Sequence, residues 1–195
     1  MLNFLSVVLV PLGSVLLFVC ALWQMAKRVH ELIEHEMRVS KLPAHRILLA
    51  GFGEGGALAL HAALTFPQRL AGAVSLAGYL PLPHLYPECI SPAARGTDAA
   101  AGANKKPLPV LCVHGNSDFV VPLSFASARY ALLRQAGLSV ELRTEWSMGH
   151  FRSNSSLMAT QGWMTDALNK AQQEEEQRQQ QQQQQTGQQP QQQPL

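Results

Sequence analysis

The stretch Arg46–Phe66, RILLAGFGEGGALALHAALTF, constrains this chain more than any other. Its ILLA run is continuously apolar, which suits a strand covered on both faces, as in parallel sheets. The pattern predicts a strand at Ile47–Ala50, a glycine-packed turn at Gly51–Gly56 and a helix from about Ala57 to Phe66. The turn has the G-x-S-x-G spacing of a nucleophile elbow. In that motif the flanking glycines let strand and helix pack closely, and the middle residue points out at the top of the sheet. Here the middle residue is Gly53, not serine.

Gly51, Gly53 and Gly56 also satisfy the dinucleotide-binding spacing G-x-G-x-x-G. That fingerprint needs a carboxylate at the end of the next strand to hold a ribose. The next predicted strand, Ala73–Ala77, runs into Gly78-Tyr79-Leu80 without one. The nucleotide reading is therefore set aside. The net charge of +2 gives no case for nucleic acid. Cys20, Cys89 and Cys112 are scattered, which argues against a disulfide framework and a zinc site.

Leu2–Trp23 is almost uninterrupted apolar sequence, so residues 1–24 are expected to form a membrane anchor. As a helix these residues would reach about 33 Å, enough to cross a bilayer. Lys27, Arg28, Arg38, Lys41 and Arg46 follow, which would place the body of the protein on the cytoplasmic side. The alternative is a sheet strand within Val7–Ser14, VVLVPLGS. Met25–Val39 has helical periodicity. Its HELIEH is one residue too long for the zinc motif HExxH. His30 and His35 lie about 140° apart around the helix and cannot share an ion.

Further strands are expected at Leu70–Ala77, Pro109–His114 and Leu138–Thr144, the last half exposed at an edge. Ile90–Lys106 reads as a flexible surface insertion. A helix is expected over Ser124–Gln135 with Ser124 as its N-cap, and a last one from about Ser156 to Ala171. The glutamine-rich remainder, residues 172–195, is expected to be a disordered tail. Residues 25–171 are thus the folded domain. Strands alternating with helices argue an α/β fold with a mostly parallel sheet.

Gly53, Asp118 and His150 each follow a predicted strand, on the edge where open α/β sheets collect ligands. Elbow, acid, histidine is the chain order of the α/β-hydrolases. Together with VHELIEHEMRVSKLPAHRILLAGFGEGGALALHAAL, LAGYLPLP, HGNSDFVVP and SMGH, this order resembles the acyl-protein thioesterase/carboxylesterase family over about Met25–Lys170. The resemblance implies a partial α/β-hydrolase fold and hydrolysis of acyl esters and thioesters, including S-palmitoyl groups on proteins, without a cofactor. It implies Asp118 as the triad acid, His150 as the general base and Glu54 as the oxyanion residue, through its backbone N–H. Leu80 and Pro81 would lie beside the acyl channel.

Two departures from the family pattern stand out. The family elbow usually reads GFSQGG, so Gly53 occupies the nucleophile's position with the serine lost. The family's early strands and its glycine-rich loop of the LHGLGD type do not appear before Met25. Ser75 and Ser147 do not sit on an elbow. The expected partners are an acylated protein or a small acyl ester, with homo-oligomers a further expectation. Catalytic impairment is expected, the alternative being a non-catalytic, membrane-tethered acyl-binding or adaptor protein.

Overall fold

The structure is a computed structural model describing residues 12–98 and 106–187. Four parallel strands form one sheet in the order β1-β2-β3-β4. They are β1 (Leu48–Phe52), β2 (Gly72–Leu76), β3 (Pro109–Gly115) and β4 (Ser139–Glu145). The helices are α1 (Leu12–Ser40), α2 (Glu54–Thr65), α3 (Pro92–Arg95), α4 (Leu123–Gln135) and α5 (Asn154–Gly187).

Strand periodicity divides the core in two. Leu49, Ala73, Val110 and Cys112 face one side and pack with Ile33 of α1, Leu60 and Leu64 of α2, and Tyr130 and Leu133 of α4. Leu48, Val74, Leu111 and Val113 face the other side and pack with Trp163 and Met164 of α5. Helices α1 to α4 thus pack on one face of the sheet and α5 on the other. This doubly covered arrangement explains why β2 and β3 read as continuous apolar runs.

Several expectations need correction. The apolar N-terminal stretch and the amphipathic helix are not separate units: α1 runs without a break across residue 24. Among the described residues no helix is long and apolar enough to cross a membrane. Residues 2–11 of the expected span lie outside the described residues, and so does most of the alternative strand, whose Leu12–Ser14 are helical.

The expected insertion is ordered at its start. Ser91 caps α3 by accepting from the Ala94 N–H, and Ile90, Ala93 and Ala94 are buried. Residues 99–105 of that stretch lie outside the described residues. Helix α4 begins at Leu123 after Pro122, with no side-chain cap, so Ser124 is not its N-cap. The expected disordered tail continues α5 as far as Gly187. Its first residues are tied to the domain: Glu174 pairs with Arg69 at 3.3 Å and Lys106 at 2.9 Å, and Glu175 with His45 at 2.8 Å. Residues 188–195 lie outside the described residues.

Candidate active site

The elbow is held by backbone geometry. Gly53 has φ +54° and ψ −121°, a conformation that L side chains rarely adopt. Its N–H donates to Leu76 O at 2.8 Å, and its C=O accepts from the Ala57 N–H at 3.1 Å. Strand and helix approach too closely for side chains on one side of the turn. A Cβ on Gly51 would lie 2.1 Å from Gly55 O, and one on Gly56 2.9 Å from Gly51 O. Gly55, the second glycine of the motif spacing, meets nothing within 4 Å. Gly51 and Gly56 are thus the close-packing pair.

The loops after β3 and β4 are stitched together. Ser117 N–H donates to Met148 O at 3.0 Å, and Ser147 N–H to Asn116 Oδ1 at 2.8 Å. This brings His150 onto Asp118, 32 residues away in sequence, with Nδ1 and Oδ2 2.8 Å apart. The other carboxylate oxygen accepts the backbone N–H groups of Val120 and Val121 at 2.9 and 2.8 Å. Burial pushes the Asp118 pKa up, but the donors from Val121, His150 and Val120 outweigh it and hold the carboxyl below its ordinary value. An ionised acid on Nδ1 keeps the proton there and leaves Nε2 free to accept one.

That nitrogen faces the elbow. A Cβ built on Gly53 would lie 3.3 Å from His150 Nε2 and 3.7 Å from Cε1. The three positions singled out in the sequence are therefore together, in the order nucleophile position, base, acid. Glu54 is the first residue of α2, where backbone N–H groups have no intrahelical partner. Pro81 lines an apolar groove of about 460 Å³ with Glu54, Leu58, Tyr79, Leu22 and Met25. Leu80 does not line it: its side chain is fully buried in the core between α2 and α4, so its expected place beside an acyl channel is corrected. Another cavity, about 500 Å³, lies at the opposite edge of the sheet, against Ala71, Pro109 and Ser139, and its charged lining is remote from this chemistry.

Two residues of the site were not singled out from sequence. Phe52 packs its ring 4.9 Å from the His150 ring. The fully buried His114 bonds Val121 O through Nε2 at 2.7 Å and stands 3.5 Å from Asp118 Oδ2, so it pins the loop that presents the acid. Its place one residue before the end of β3, four before Asp118, was the available signal. Ser75 is fully buried and contacts the Tyr130 hydroxyl at 3.3 Å, while Ser147 sits in the β4 loop with φ +57°. Neither replaces the elbow serine. Among the described residues no group of three or more His, Cys, Asp or Glu side chains could hold a metal.

A parallel sheet with helices on both faces, a tight strand–helix elbow, and an acid–histidine pair on the next loops define an α/β-hydrolase. The comparisons with known proteins agree. The phospholipase/carboxylesterase family matches residues 21–167, and the chain belongs to that family. A probable carboxylesterase of Oryza sativa subsp. japonica is 34% identical over 147 residues, covering 75% of this chain and 51% of the relative. Acyl-protein thioesterase 1 of Schizosaccharomyces pombe is 36% identical over 136 residues, covering 69% of this chain and 55% of the relative. The crystal structure of Zea mays acyl-protein thioesterase 2 superposes with a TM-score of 0.61 at 25% identity, covering 75% of this chain and 66% of that one. Arabidopsis thaliana SOBER1 gives 0.65 at 25% identity, covering 75% and 64%. The chain thus spans about half the length of the curated relatives it matches.

Proposed function

We propose that this chain engages acyl esters and thioesters, of the S-acylated-protein class, at the Gly53 corner, with turnover impaired because the elbow carries no nucleophile. The observation that supports this most is the 3.3 Å separation between His150 Nε2 and the place a Gly53 side chain would start. Base and acid are set for a hydroxyl that the sequence does not supply. The apolar groove beside Pro81 and Glu54 suits an acyl chain.

In a complete triad the serine oxygen attacks the carbonyl carbon and its proton passes to Nε2. The tetrahedral intermediate then collapses, expelling the thiol or alcohol with that proton. Gly53 removes the atom that forms the acyl-enzyme bond. The remaining route is direct: a water gives its proton to Nε2 as its oxygen adds to the carbonyl, and the imidazolium returns the proton to the departing sulfur or oxygen. Sites lacking one triad member retain only about 10³–10⁴-fold over the uncatalysed rate.

A fluorophosphonate probe tests the reading, because it phosphonylates only an activated nucleophile. The parent chain is expected to remain unlabelled while still binding a long-chain acyl ligand in the groove. Rapid labelling of the parent would overturn it. A non-catalytic acyl-binding role is the second reading, favoured by the same glycine, and binding without detectable hydrolysis would select it.

A further inference from the structure

At the amino ends of the strands, opposite the catalytic edge, the sheet meets α5 across a cavity of about 210 Å³. Its lining includes His45 before β1, Gln68 and Arg69 before β2, Lys106 before β3 and Arg178 of α5. It adjoins the cavity of about 500 Å³ at the same edge, and Arg69 and Lys106 line both. Lys170, Glu174 and Arg178 recur at four-residue spacing and so share one face of α5. Arg178 lies beyond residue 167, where the match to the family ends, so the family likeness does not account for it.

Buried N–H groups normally find an acceptor, because an unpaired one has lost its water without replacement. Among the described residues three arginine Nε groups are buried without one, those of Arg46, Arg69 and Arg178. All three stand at this junction. Arg46 bonds Gln172 of α5 through Nη1 at 2.8 Å, while Arg69 and Arg178 line the smaller cavity. The neighbouring carboxylates are engaged elsewhere. Glu174 accepts from Arg69 at 3.3 Å and from Lys106 at 2.9 Å, and Glu175 from His45. Asp98, the carboxylate in the cavity lining, has a contact of its own. Arg178 is half-buried and forms no ion pair among the described residues. Glu174 thus sets one negative charge against two cations, and Arg178 adds a third.

We propose that this cavity is an anion site that binds a phosphate monoester. Guanidinium N–H groups match phosphate oxygens, and a dianion accepts from several donors at once. A carboxylate, with one charge, would leave part of this donor set unmet. Arg69 and Arg178 supply buried N–H groups from two separate elements. Lys106 supplies an ammonium at the mouth, where its side chain is 61% exposed. Glu174 holds Arg69 and Lys106 side by side without reaching Arg178. Pockets for drug-sized molecules begin at about 300 Å³, so the smaller cavity suits the phosphate group alone. The adjoining cavity, with Pro107, Trp163 and Asp166 in its lining, takes the esterified part. A soluble monoester and the headgroup of phosphatidic acid carry the same chemistry. The site lies across the sheet from Gly53, so it stands apart from the reading of that corner.

Thermal melts of the full 195-residue chain at constant ionic strength test the site, with phenyl phosphate as the soluble probe. Flotation with phosphatidylcholine vesicles, with and without phosphatidic acid, tests the lipid source. At about ten times its dissociation constant, phenyl phosphate is expected to raise Tm by roughly 3–6 °C. Arg178→Gln is expected to weaken binding at least about tenfold and to leave the unliganded Tm within a few degrees, since its guanidinium forms no ion pair. Arg178→Lys keeps the charge without the fork and is expected to recover only part of the loss. Lys106→Gln, at the exposed mouth, is expected to weaken binding as well. Lys27→Gln removes the same charge from an exposed position on α1 and is expected to bind like the parent. Arg178-dependent binding of phenyl phosphate identifies a soluble source, and Arg178-dependent flotation with phosphatidic acid a lipid source. No binding of either probe, binding indifferent to Arg178→Gln and Lys106→Gln, or equal weakening by Lys27→Gln would each overturn the proposal.

Discussion

Gly53→Ser is the substitution for which the structure sets both a gain and a cost. The new Cβ would begin 3.3 Å from His150 Nε2, tighter than an ordinary contact, so the imidazole must yield by a few tenths of an ångström. One C–O bond then carries Oγ into the hydrogen-bonding range of Nε2. The backbone stays at φ +54°, which for a residue with a Cβ costs about 1–3 kcal/mol. For a domain of this size that lowers Tm by roughly 2–10 °C. Against this, loss of a serine nucleophile from a complete triad costs about 10⁶-fold in kcat. The glycine loop implied by the family resemblance has no counterpart among the described residues. One missing oxyanion donor takes back about 10²–10³-fold. The expected net gain in kcat/KM on a soluble acyl thioester is therefore roughly 10³–10⁴-fold, or about 4–5.5 kcal/mol of barrier. Thiol release and fluorophosphonate labelling measure it. Gly53→Ala is the control, because it carries the same strain and no oxygen. It should match the fall in Tm and stay unlabelled. If Gly53→Ser folds, loses the stability expected and still fails to label, then His150 and Asp118 are not poised for that corner and the assignment of the elbow is wrong.

Other outcomes follow from single contacts. In the Gly53→Ser background, Asp118→Asn should reduce labelling by about 10⁴-fold, since the amide no longer holds the proton on Nδ1; an undiminished rate would remove Asp118 from the site. Gly51→Ala should unfold the elbow or shift β1 from α2, because its Cβ meets Gly55 O at 2.1 Å, whereas Gly55→Ala, in open space, should leave Tm within a few degrees; equal effects in a thermal melt would contradict the packing. His61 on α2 is buried against Tyr86 and Trp23, and burial, aided by the nearby His30, lowers its pKa from 6.5 to about 4. The unfolded chain then binds this proton between pH 6.5 and 4 while the native chain does not, so stability present above pH 6.5 is lost across that window. The loss is about 2–4 kcal/mol, and denaturant titrations at several pH values should show His61→Gln with a flatter slope there.

What the sequence disclosed and what it concealed divide along one physical line. The elbow was legible because it is set by local sterics. Only glycine fits where Gly51 and Gly56 approach each other, and a strand–turn–helix written in apolar residues and glycines has few other foldings. Asp118 and His150 were legible because each stands in the loop that follows a strand of a parallel sheet, and a parallel sheet gathers such loops on one edge. Composition misled where a neighbouring element decides. The glutamine-rich stretch cannot build a core of its own, yet glutamine is a good helix former. A helix already nucleated over Asn154–Ala171 extends through it at little cost, with Glu174 and Glu175 anchoring the junction on Arg69, Lys106 and His45. Leu80 looked like channel lining because its loop is apolar, but the space between α2 and α4 takes it into the core. The apolar start of α1 looked like a membrane span because hydropathy alone does not tell lipid from protein. From Leu22 to Ile33 the face toward α2 is buried by that helix, while Met25, Leu32 and Val39 stay exposed.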